Sequence, residues 1–559
     1  MVTNETQNLN EGEDEALNNN IVDKQKHTDV QEGKEVQIIQ NKFKRRLENS
    51  FTNIFFLVCI AGISLGILLE IVNVFRRNQS PEVSIVTKNV LSPKYWMYPN
   101  TKTVNSRDGN LKHVHLVLER VGYEKTTNET PWNLLWSYPT PFNDINLKNL
   151  RDNQKVNHFP GTGYITCKVE LATSKSEFIP KAFRLPKDKN EFLTYAEKNK
   201  DALFVQKNIR HRHVYLKNVS EIDLSNETTF VQEFVQKPFL VDGHKFDIGV
   251  YVVLESVNPL RVYWYKGDVL FRYCPTKYYP FDPSNLDKYV IGDDYLPTWE
   301  VPSLAHPYTA LGNTMKETFD IYARSKGKDT TKMWQDVQAA IAEIFIMKES
   351  IIAEKFKAYS SPENYFEMMR FDLIVDEDLK VYLLEANMGP NLSSQHFPPN
   401  QLLYEQVLYN LFSLTGVAQA KIAVNAADKG ETKAAEDMLS ADKNIAVYGD
   451  ECRTLCKDSC EVSDLCRLCK PCLTPKLKKT LLAAYNEFLH RGDFRRLIPP
   501  TMVPNKDTKA ILEGVKDLSL NNKLLHLWYQ GKCNQDIIWC SVNITRTDDE
   551  RMHVGLEDA

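Results

Sequence analysis

Three oxygen-bearing side chains lie close together in the run FDLIVDEDLKVYLLEAN, residues 371–387. The pattern predicts a strand, an Asp-Glu-Asp turn and a second strand. Glu385 and Asn387 are two residues apart and therefore face one side of the second strand, and Asp372 can face the same cleft from the first strand. Such carboxylate and amide oxygens are hard ligands, suited to a Mg²⁺ ion that is shared with nucleotide phosphates. In the alternative interpretation, Asp372 and Asp376 serve the turn and Glu385 only ends a strand.

A second polar row lies in GHKFDIGVYVV, residues 243–253. Because side chains alternate along a strand, Lys245, Asp247 and Gly249 face one side. A lysine and an aspartate at this spacing indicate a charged ligand, whereas the glycine leaves a gap in the row. Either this gap belongs to the chemistry of the site, or Gly249 eases close packing in a buried strand.

The elements around these residues predict a globular α/β (α+β) body. Hydrophobic residues make up 42% of the chain, aromatic residues 11% and charged residues 25%, which provides ample material for a core. Strand-like runs between residues 230 and 274 precede a long helical pattern over residues 330–359, and residues 398–414 predict a closing helix. The formal net charge of −4 gives no reason to expect a nucleic-acid partner.

The N-terminal region predicts a tail followed by a membrane anchor. Residues 1–41 are acidic, rich in Asn and poor in large apolar residues, so we expect a disordered cytoplasmic tail. Residues 51–69 carry no charge, and as a helix they span ~28 Å, close to the ~30 Å hydrocarbon core of a bilayer. We therefore predict one transmembrane helix over residues 51–74, followed by a linker over residues 76–99.

Charges on the two flanks of this segment bear on its orientation. Four basic residues precede it and three follow it: Lys42, Lys44, Arg45 and Arg46, then Arg76, Arg77 and Lys88. By a narrow margin, the positive-inside rule favours a single-pass type II protein whose C-terminal body is luminal or extracellular, and a cytosolic body is the alternative. Glycosylation sequons, which a chain rich in Asn also carries by chance, would make it a glycoprotein: Asn78, Asn128, Asn218, Asn226 and Asn543.

Eight of the eleven cysteines lie near the C-terminus, in a Cys-rich extension over residues 447–559 that follows a linker over residues 417–446. This extension is predicted to be a separate small domain or a capping element. Two short antiparallel helices could carry nested disulfides: Cys460–Cys466, Cys456–Cys469 and Cys452–Cys472. Cys533 and Cys540 complete the disulfide candidates, and this number of cysteines suits an oxidising compartment. Zinc is the alternative, although the spacing is not a standard finger spacing.

Four stretches together resemble the tubulin–tyrosine ligase-like family: LVDGHKFDIGVYVVLESVNPLRVYW, FDLIVDEDLKVYLLEANMGPNLSS, VNHFPG and FIPKAFRLP. The resemblance runs in order from about His113 to Gly416 and is greatest to a divergent, membrane-anchored branch of the family, numbered fifteen. It implies an ATP-grasp fold over residues 100–416, with ATP and Mg²⁺ as cofactors. It also implies a protein acceptor, either tubulin or another protein.

The resemblance further implies roles for individual residues. The nucleotide would be held by two phosphate-contacting lysines, by a hinge that binds adenine through its backbone, and by a polar pair that faces nucleotide and substrate: Lys168 and Lys207; Gln232, Glu233, Phe234 and Val235; Lys245 and Asp247. The Mg²⁺ ligands would be Asp372, Glu385 and Asn387. The catalytic candidates are Arg272, near the γ-phosphate, and Glu385.

Three features depart from the family pattern. Gly249 stands where relatives carry an arginine that helps to bind phosphate or the incoming carboxylate. After Lys207, a glycine-containing loop is replaced by NIRHRHVYL, whose basic side chains are either a substitute for backbone contacts to phosphate or a solvated surface. A HLTN stretch expected before the long helix is absent, and IGDDYLPTWEVPSL occupies the interval.

Two functions therefore remain open. The first is a membrane-anchored, ATP-dependent amino-acid ligase that resembles tubulin polyglutamylases and forms an amide on a protein glutamate side chain through an acyl-phosphate. Its acceptor would be tubulin or a luminal protein. The second is a nucleotide-binding pseudoenzyme or scaffold. Leaving a phosphate charge unpaired at the missing arginine costs on the order of a few kcal/mol, which would slow turnover without excluding it.

Overall fold

The computed structural model of the chain describes residues 61–72, 91–99, 111–208, 214–505 and 507–540. Outside these ranges lie the predicted tail (residues 1–41), parts of the predicted transmembrane segment (residues 51–60 and 73–74), the basic loop at residues 209–213, and the sequons at Asn78 and Asn543. The chain divides into two units, Met1–Asn89 and Val90–Ala559, and each is described by itself.

In the first unit, Ala61–Val72 is an apolar helix, α1, which is the described part of the predicted transmembrane segment. Among the described residues, no single helix is both long enough and apolar enough to cross a membrane. One bent pair of helices, Asn400–Leu414 and Val417–Asp428 at 69° to each other, has a suitable length and composition. The membrane anchor therefore stays a prediction.

The described strands of the second unit form three sheets. They are β1 (Lys94–Tyr98), β2 (Glu124–Thr126), β3 (Leu134–Ser137), β4 (Lys155–Val156), β5 (Ala182–Arg184), β6 (Phe204–Asn208), β7 (Val214–Lys217), β8 (Thr229–Glu233), β9 (Phe246–Val257), β10 (Leu260–Tyr265), β11 (Leu270–Tyr273), β12 (Leu296–Pro297), β13 (Glu367–Val375), β14 (Val381–Met388) and β15 (Phe494–Ile498).

The α-helices of this unit cover the sheets and build the C-terminal extension. They are α2 (Lys112–Arg120), α3 (Gly163–Thr166), α4 (Lys168–Ala172), α5 (Lys189–Lys198), α6 (Pro302–Thr309), α7 (Met315–Ser325), α8 (Thr331–Phe356), α9 (Asn400–Leu414), α10 (Ala420–Asp428), α11 (Thr432–Leu439), α12 (Asp442–Ile445), α13 (Gly449–Arg453), α14 (Pro475–His490), α15 (Thr508–Gly514) and α16 (Leu520–Gln535). The long helix and the closing helix of the sequence analysis are confirmed as α8 and α9.

The N-terminal sheet has the order β2-β1-β3-β4, and its strands are parallel. Strand β1 lies inside this sheet, although the sequence analysis assigns its residues to the linker 76–99. That part of the linker prediction is wrong, because Tyr95, Trp96 and Met97 are buried and the backbone of β1 pairs on both edges. The body of the protein therefore begins before residue 100.

The middle sheet is antiparallel, with the order β5-β8-β6-β7. It has a small core of its own, in which Phe183, Phe192 and Phe204 pack with ring centroids 5.1–5.4 Å apart. Aromatic side chains of this size contribute much of the buried area in a small sheet, so this core orients the two strands that carry Lys207 and Gln232.

The central sheet is built around β9, whose twelve residues are all buried. One edge of β9 pairs with β13, and the other pairs with β10 and β11 in succession. Strand β14 continues the sheet beyond β13 through the predicted hairpin. A strand that is paired on both edges and buried on both faces needs an almost unbroken apolar run, which the Val-rich sequence of β9 largely supplies. Any polar residue in it therefore calls for a partner.

The C-terminal extension is a capping element that takes part in the central sheet. Its strand β15 pairs antiparallel with β10, so the extension completes the sheet edge. Arg261 on β10 donates Nε to both carboxylate oxygens of Glu487 on α14, at 3.0 and 3.1 Å, and the two side chains are only 2% and 7% exposed. The predicted linker, residues 417–446, contains α10, α11 and α12.

The six clustered cysteines all form disulfides, but the nested pairing predicted from the sequence is wrong. The observed bonds are Cys452–Cys469, Cys456–Cys466 and Cys460–Cys472, and the two remaining disulfide candidates, Cys533 and Cys540, bond to each other. The prediction requires two helices, whereas α13 ends at Arg453 and short 3-10 turns follow it. The cysteines are therefore not aligned on helix faces: Cys456–Cys466 lies inside the loop closed by Cys452–Cys469, and Cys460–Cys472 crosses both.

Candidate active site

One face of the central sheet gathers the polar residues singled out in the sequence. In the strand register, Asp247 on β9 lies opposite Arg272 on β11, and Gly249 lies opposite Asp372 on β13. Asp372 in turn lies opposite Glu385 on β14. Residues directly opposite each other in adjacent strands point to the same face. The two polar rows of the sequence therefore belong to one surface.

Two arginines hold the carboxylate of Asp372 on this face. Arg370 donates Nε to Oδ1 at 2.7 Å and Nη2 to Oδ2 at 2.9 Å. Arg272 donates Nη2 to Asp372 Oδ2 at 3.0 Å, and it also donates Nε and Nη2 to the two oxygens of Asp247, at 2.9 and 2.6 Å. No charged side chain of this group is more than 16% exposed. Charge-assisted, bidentate hydrogen bonds of this kind fix the arginine and the carboxylate in one orientation.

The pKa values of the two aspartates in the network are shifted in opposite directions. Burial raises the pKa of Asp247 to about 6, against the opposing influence of Arg272. Burial acts on Asp372 in the same direction, but the guanidinium groups of Arg370 and Arg272 outweigh it and lower the pKa of that carboxyl. Asp372 is therefore the firmly ionised member, because it has two guanidinium partners where Asp247 has one.

The gap at Gly249 is filled from the neighbouring strand. A Cβ atom placed on Gly249 would lie 2.8 Å from Cδ, 3.2 Å from Nε and 3.4 Å from Cγ of Arg370. Carbon atoms pack favourably at about 3.5–4.0 Å, so the side chain of Arg370 occupies the space that any larger residue at position 249 would need. Both interpretations of Gly249 therefore hold: the glycine allows close packing, and the group that packs against it is the charged side chain of Arg370.

Glu385 and Asn387 offer oxygen atoms that could hold a cation. Glu385 is 34% exposed and lies 3.3 Å from Nζ of Lys168. Asn387 donates Nδ2 to Asp372 Oδ2 at 2.9 Å, which commits its nitrogen and leaves its Oδ1 as an acceptor. Asp372 Oδ2 accepts from three donors, whereas Oδ1 accepts from Arg370 alone among the described residues. The donor set fits Mg²⁺ mainly through Glu385 and Asn387, with Asp372 largely engaged by the arginines.

Acidic and histidine side chains alone do not make a metal site here. In the ranges that the structure describes, there is no group of three or more His, Cys, Asp or Glu side chains that could hold a metal ion.

Two further lysines approach this region. Lys207 on β6 donates Nζ to Gln232 Oε1 at 2.7 Å, and the buried Lys245 donates Nζ to the carbonyl of Tyr289 at 3.1 Å. Loss of hydration lowers the pKa of both amino groups to about 8. Glu385 and the other lysines also act on the pKa of Lys207, so these groups lie within electrostatic reach of one another.

Positive groups outnumber negative groups in this region. Five are cationic, namely Lys168, Lys207, Lys245, Arg272 and Arg370, and three are anionic, namely Asp247, Asp372 and Glu385. An excess of cations in a partly dehydrated cleft favours a ligand with several negative charges, such as a nucleotide triphosphate.

The predicted adenine hinge continues from β8. The backbone N–H of Glu233 donates to the carbonyl of Lys181 and that of Phe234 to the carbonyl of Leu203, both at 2.8 Å. The N–H of Val235 makes no hydrogen bond to any other described residue, so it is the hinge donor that remains available. Glu233, Phe234 and Val235 border a cavity of about 890 Å³. The adenine-binding role itself stays a prediction.

The structure brings most of the predicted residues together and adds one that the sequence analysis missed. The three metal candidates, the Lys245–Asp247 pair, Arg272, Lys168 and Lys207 converge on one region. Arg370 was missed, although it stands two residues before Asp372 and therefore shares its strand face. A signal was present in the sequence, since a charged residue inside an otherwise apolar strand requires a partner.

Comparison with known proteins bears on the family of the chain. Residues 145–423 match the model of the tubulin-tyrosine ligase family. A probable tubulin polyglutamylase, ttll-15 of Caenorhabditis elegans, is 39% identical over 450 residues, which cover 78% of this chain and 85% of that protein. The matched family segment includes every predicted site residue outside the disulfides.

More distant relatives include tubulin polyglutamylases of vertebrates. The tubulin polyglutamylase ttll6 of Danio rerio is 25% identical over 421 residues, covering 71% of this chain and 50% of that protein. The tubulin polyglutamylase TTLL7 of Mus musculus is 25% identical over 458 residues, covering 74% and 47%. The chain therefore spans about half the length of these two relatives.

Proposed function

The chain belongs to the tubulin–tyrosine ligase family, and we propose that it is an ATP-dependent ligase that adds glutamate to a glutamate side chain of a protein. The observation that carries this proposal is the excess of cationic groups around Asp372 and Glu385, on the sheet face that the family motif builds. Such a face can bind a triphosphate and an amino-acid carboxylate side by side.

The reaction requires activation of a carboxylate, because an amide does not form from a carboxylate and an amine in water without an energy source. In the proposed sequence, a carboxylate oxygen takes the γ-phosphoryl group of ATP and ADP leaves. The amine then attacks the acyl carbon, the bond from that carbon to the phosphate oxygen breaks, and phosphate departs as the amine loses a proton. The protein has little covalent work to do, so its contribution is positioning and charge neutralisation.

Each group of the face has a task in this scheme. Lys168 and Lys207 would neutralise phosphate oxygens, and Arg272 would bind the transferred phosphoryl group from its fixed position on Asp247. Lys245, which donates Nζ to the Tyr289 carbonyl, would face the nucleotide. A Mg²⁺ ion bound through Glu385 and Asn387 would neutralise further phosphate charge.

The acceptor is proposed from the relatives. Proteins named tubulin polyglutamylases are similar to this chain over most of its length, which supports a glutamate side chain of tubulin as the acceptor. Four disulfides in the C-terminal extension favour an oxidising compartment, where tubulin is not found, and thus support a luminal or extracellular protein instead. We propose the same chemistry for either acceptor.

Incorporation of labelled glutamate tests the ligase. The purified full chain is incubated with Mg-ATP, labelled glutamate and either tubulin or a Glu-rich secreted protein, beside Glu385→Gln and the exposed-site control Glu436→Gln. We expect the native chain and Glu436→Gln to label an acceptor, and we expect the labelling rate of Glu385→Gln to be at least 100-fold lower. Labelling no higher than that of Glu385→Gln with every acceptor would remove the ligase proposal.

A pseudoenzyme is the second candidate, supported by the departures from the family pattern at Gly249, in the loop after Lys207 and in the interval before α8. It predicts that Mg-ATP binds with micromolar affinity, measured by calorimetry, in a chain that labels no acceptor. Binding together with labelling would exclude it.

We also propose that residues 51–74 anchor the chain as a single-pass type II membrane protein, supported by the uncharged run 51–69 and by the oxidised cysteines. Intact microsomes treated with protease should then protect the body, and glycosidase should shift its mobility through sequons such as Asn218 and Asn226. A body that is cleaved in intact microsomes and does not shift with glycosidase would show the opposite orientation.

A further inference from the structure

Arg370 is placed unusually for an arginine inside a central sheet. It lies on β13 between β9 and β14, and its side chain is 8% exposed. Burial of a guanidinium is costly unless its hydrogen bonds are made. Nε and Nη2 are both donated to Asp372, whereas Nη1 donates to no other residue in the described ranges. Nη1 is also not among the described buried polar atoms that lack a hydrogen-bond partner.

The route of this side chain depends on Gly249. Arg370 lies diagonally across from Gly249, because Asp372 is the residue opposite Gly249 and Tyr251 is the residue opposite Arg370. The middle of the arginine side chain passes over the glycine, within 2.8–3.4 Å of the place where a Cβ would stand. Since the guanidinium is pinned to Asp372 at 2.7 and 2.9 Å, the side chain cannot swing away without losing both bonds.

Positions 249 and 370 therefore cannot both carry an arginine whose guanidinium lies at this point of the face. A long side chain at position 249 would project into the same part of the face as Arg370 does, between Asp247 and Tyr251 in its own row. Both would compete for Asp372. The surrounding face also contains Arg272, whose Nε and Nη2 donate to aspartates in the same way and whose Nη1 donates to no residue in the described part of the chain.

We propose that Arg370 is an oxyanion-binding residue of this site, that it supplies from β13 the guanidinium missing at position 249 of β9, and that Gly249 is kept small to admit it. This proposal rests on the proposed function for the identity of the oxyanion, which is either a nucleotide phosphate or the carboxylate of the incoming amino acid. Arg272 and Arg370 then present two free guanidinium edges on either side of Asp372, a pair suited to an oxyanion with more than one oxygen.

Exchanging the two residues tests this proposal. Four forms of the full chain are compared: Arg370→Gly, Gly249→Arg, the double exchange Gly249→Arg with Arg370→Gly, and Arg370→Lys. Calorimetry gives the Kd of Mg-ATP, thermal unfolding with and without glutamate gives the response to the amino acid, and KM for glutamate is measured where turnover exists. Circular dichroism reports whether each form is folded.

We expect Arg370→Gly to weaken the binding of one oxyanion, either the nucleotide phosphate or the glutamate carboxylate, at least tenfold. A rise in the Kd of Mg-ATP identifies the phosphate, whereas an unchanged Kd with a tenfold rise in KM, or with loss of the glutamate response, identifies the carboxylate. Gly249→Arg should also be impaired, because its side chain collides with Arg370. The double exchange should return within threefold of the native chain, and Arg370→Lys should be intermediate because it keeps the charge but not the two-pronged contact.

Several results would overturn the proposal. One is a folded Arg370→Gly form whose Kd, glutamate response and KM all remain within threefold of the native values. Another is a double exchange whose Kd of Mg-ATP, glutamate response and KM are no closer to the native values than those of the worse single variant. A double exchange that does not fold would also overturn the proposal. If the native chain binds Mg-ATP but labels no acceptor, the ligase proposal fails and the proposal for Arg370 can still be tested. The Kd of Mg-ATP then tests whether Arg370 binds phosphate, and the response of thermal unfolding to glutamate tests whether it binds the carboxylate.

Discussion

Arg272 donates Nε and Nη2 to the two carboxylate oxygens of Asp247, at 2.9 and 2.6 Å, and the same Nη2 reaches Asp372 Oδ2 at 3.0 Å. One guanidinium thus joins β11 to β9 and β13 across the candidate site. Because its Nε and Nη2 are committed, the orientation of its remaining Nη1 is fixed before any ligand arrives. Preorganisation of this kind lowers the cost of binding an anion.

Replacement of Arg272 by lysine should separate charge from geometry. A lysine keeps the positive charge but cannot hold two aspartates at once, so we expect kcat/KM in the labelling assay to fall about 10- to 1,000-fold. The control is Arg324→Lys on the exposed face of α7, which should stay within twofold. Equal activity of the two variants would show that only the charge at position 272 matters.

Nucleotide affinity should fall as the pH rises through about 8. The pKa of Lys207 is lowered to about 8 by loss of hydration, so its charged fraction declines between pH 7 and 9, and an uncharged amine no longer attracts phosphate. We expect Mg-ATP binding, measured by calorimetry, to weaken over this range. Lys207→Met should be weak at every pH.

A matched control exists on the neighbouring strand. Lys217 on β7 donates Nζ to Gln206 Oε1 at 2.8 Å, much as Lys207 donates to Gln232 at 2.7 Å. Lys217→Met should leave both the affinity and its pH dependence unchanged. A Lys207→Met form that keeps the native pH profile would show that another group titrates.

The buried pair Arg261–Glu487 should make the C-terminal extension inseparable from the body. Removal of one partner leaves a buried charge without compensation, so we expect Glu487→Ala to lower the free energy of unfolding by about 3–5 kcal/mol. Chemical denaturation measures this loss. Glu513→Ala, which breaks an exposed pair with Lys516, should change stability by less than about 0.5 kcal/mol.

Ionisation of Glu255 should make the protein less stable as the pH rises from about 4.5 to about 8. Burial, together with the neighbouring Glu487, raises its pKa to about 8 from the ordinary 4.5. A carboxyl with a raised pKa stabilises the folded state fully below pH 4.5, and that contribution is lost as the pH rises toward 8, since ionisation is easier in the unfolded chain.

The substitution Glu255→Gln tests whether ionisation of Glu255 destabilises the folded protein. The amide imitates the protonated acid, so thermal unfolding at pH 8 should show a stabilisation on the order of 2 kcal/mol, and none at pH 4. Destabilisation at pH 8 would mean that the ionised carboxylate is favourably paired in the fold.

Peptide mapping without reduction should recover the crossed pairing Cys452–Cys469, Cys456–Cys466 and Cys460–Cys472. Replacing the buried pair Cys456 and Cys466 by serine should lower stability by about 2–4 kcal/mol. The matched control is Cys167→Ser, since Cys167 is a free, half-buried thiol. Recovery of the nested pairing instead would show that the extension folds differently.

Local patterns in the sequence were sufficient to predict the hairpin that carries Asp372 and Glu385, because alternation and a turn signal occur within a few residues of each other. They also identified both polar rows of the site. The relation between Gly249 and Arg370 could not be predicted in this way. It depends on the register of two strands separated by more than a hundred residues, which neither strand encodes by itself.

The same limit applies to the disulfides and to the ends of the body. Six cysteines permit fifteen pairings, and the choice between them depends on turns that helical spacing does not describe. Strand β1 was assigned to a linker because five residues with two tyrosines and a tryptophan are too few for a periodic pattern. Its place was decided by the edges of the sheet that it joins.

The position of β15 has a consequence for how the chain is made. The edge of β10 that β15 covers stays open until a ribosome has synthesised the last tenth or so of the chain, more than two hundred residues after β10 itself. Pairing across such a distance is slow, and an uncovered edge invites pairing with other chains. A nascent chain would therefore need protection during synthesis, and a premature stop anywhere before Phe494 should yield an aggregating product rather than a shortened, folded protein.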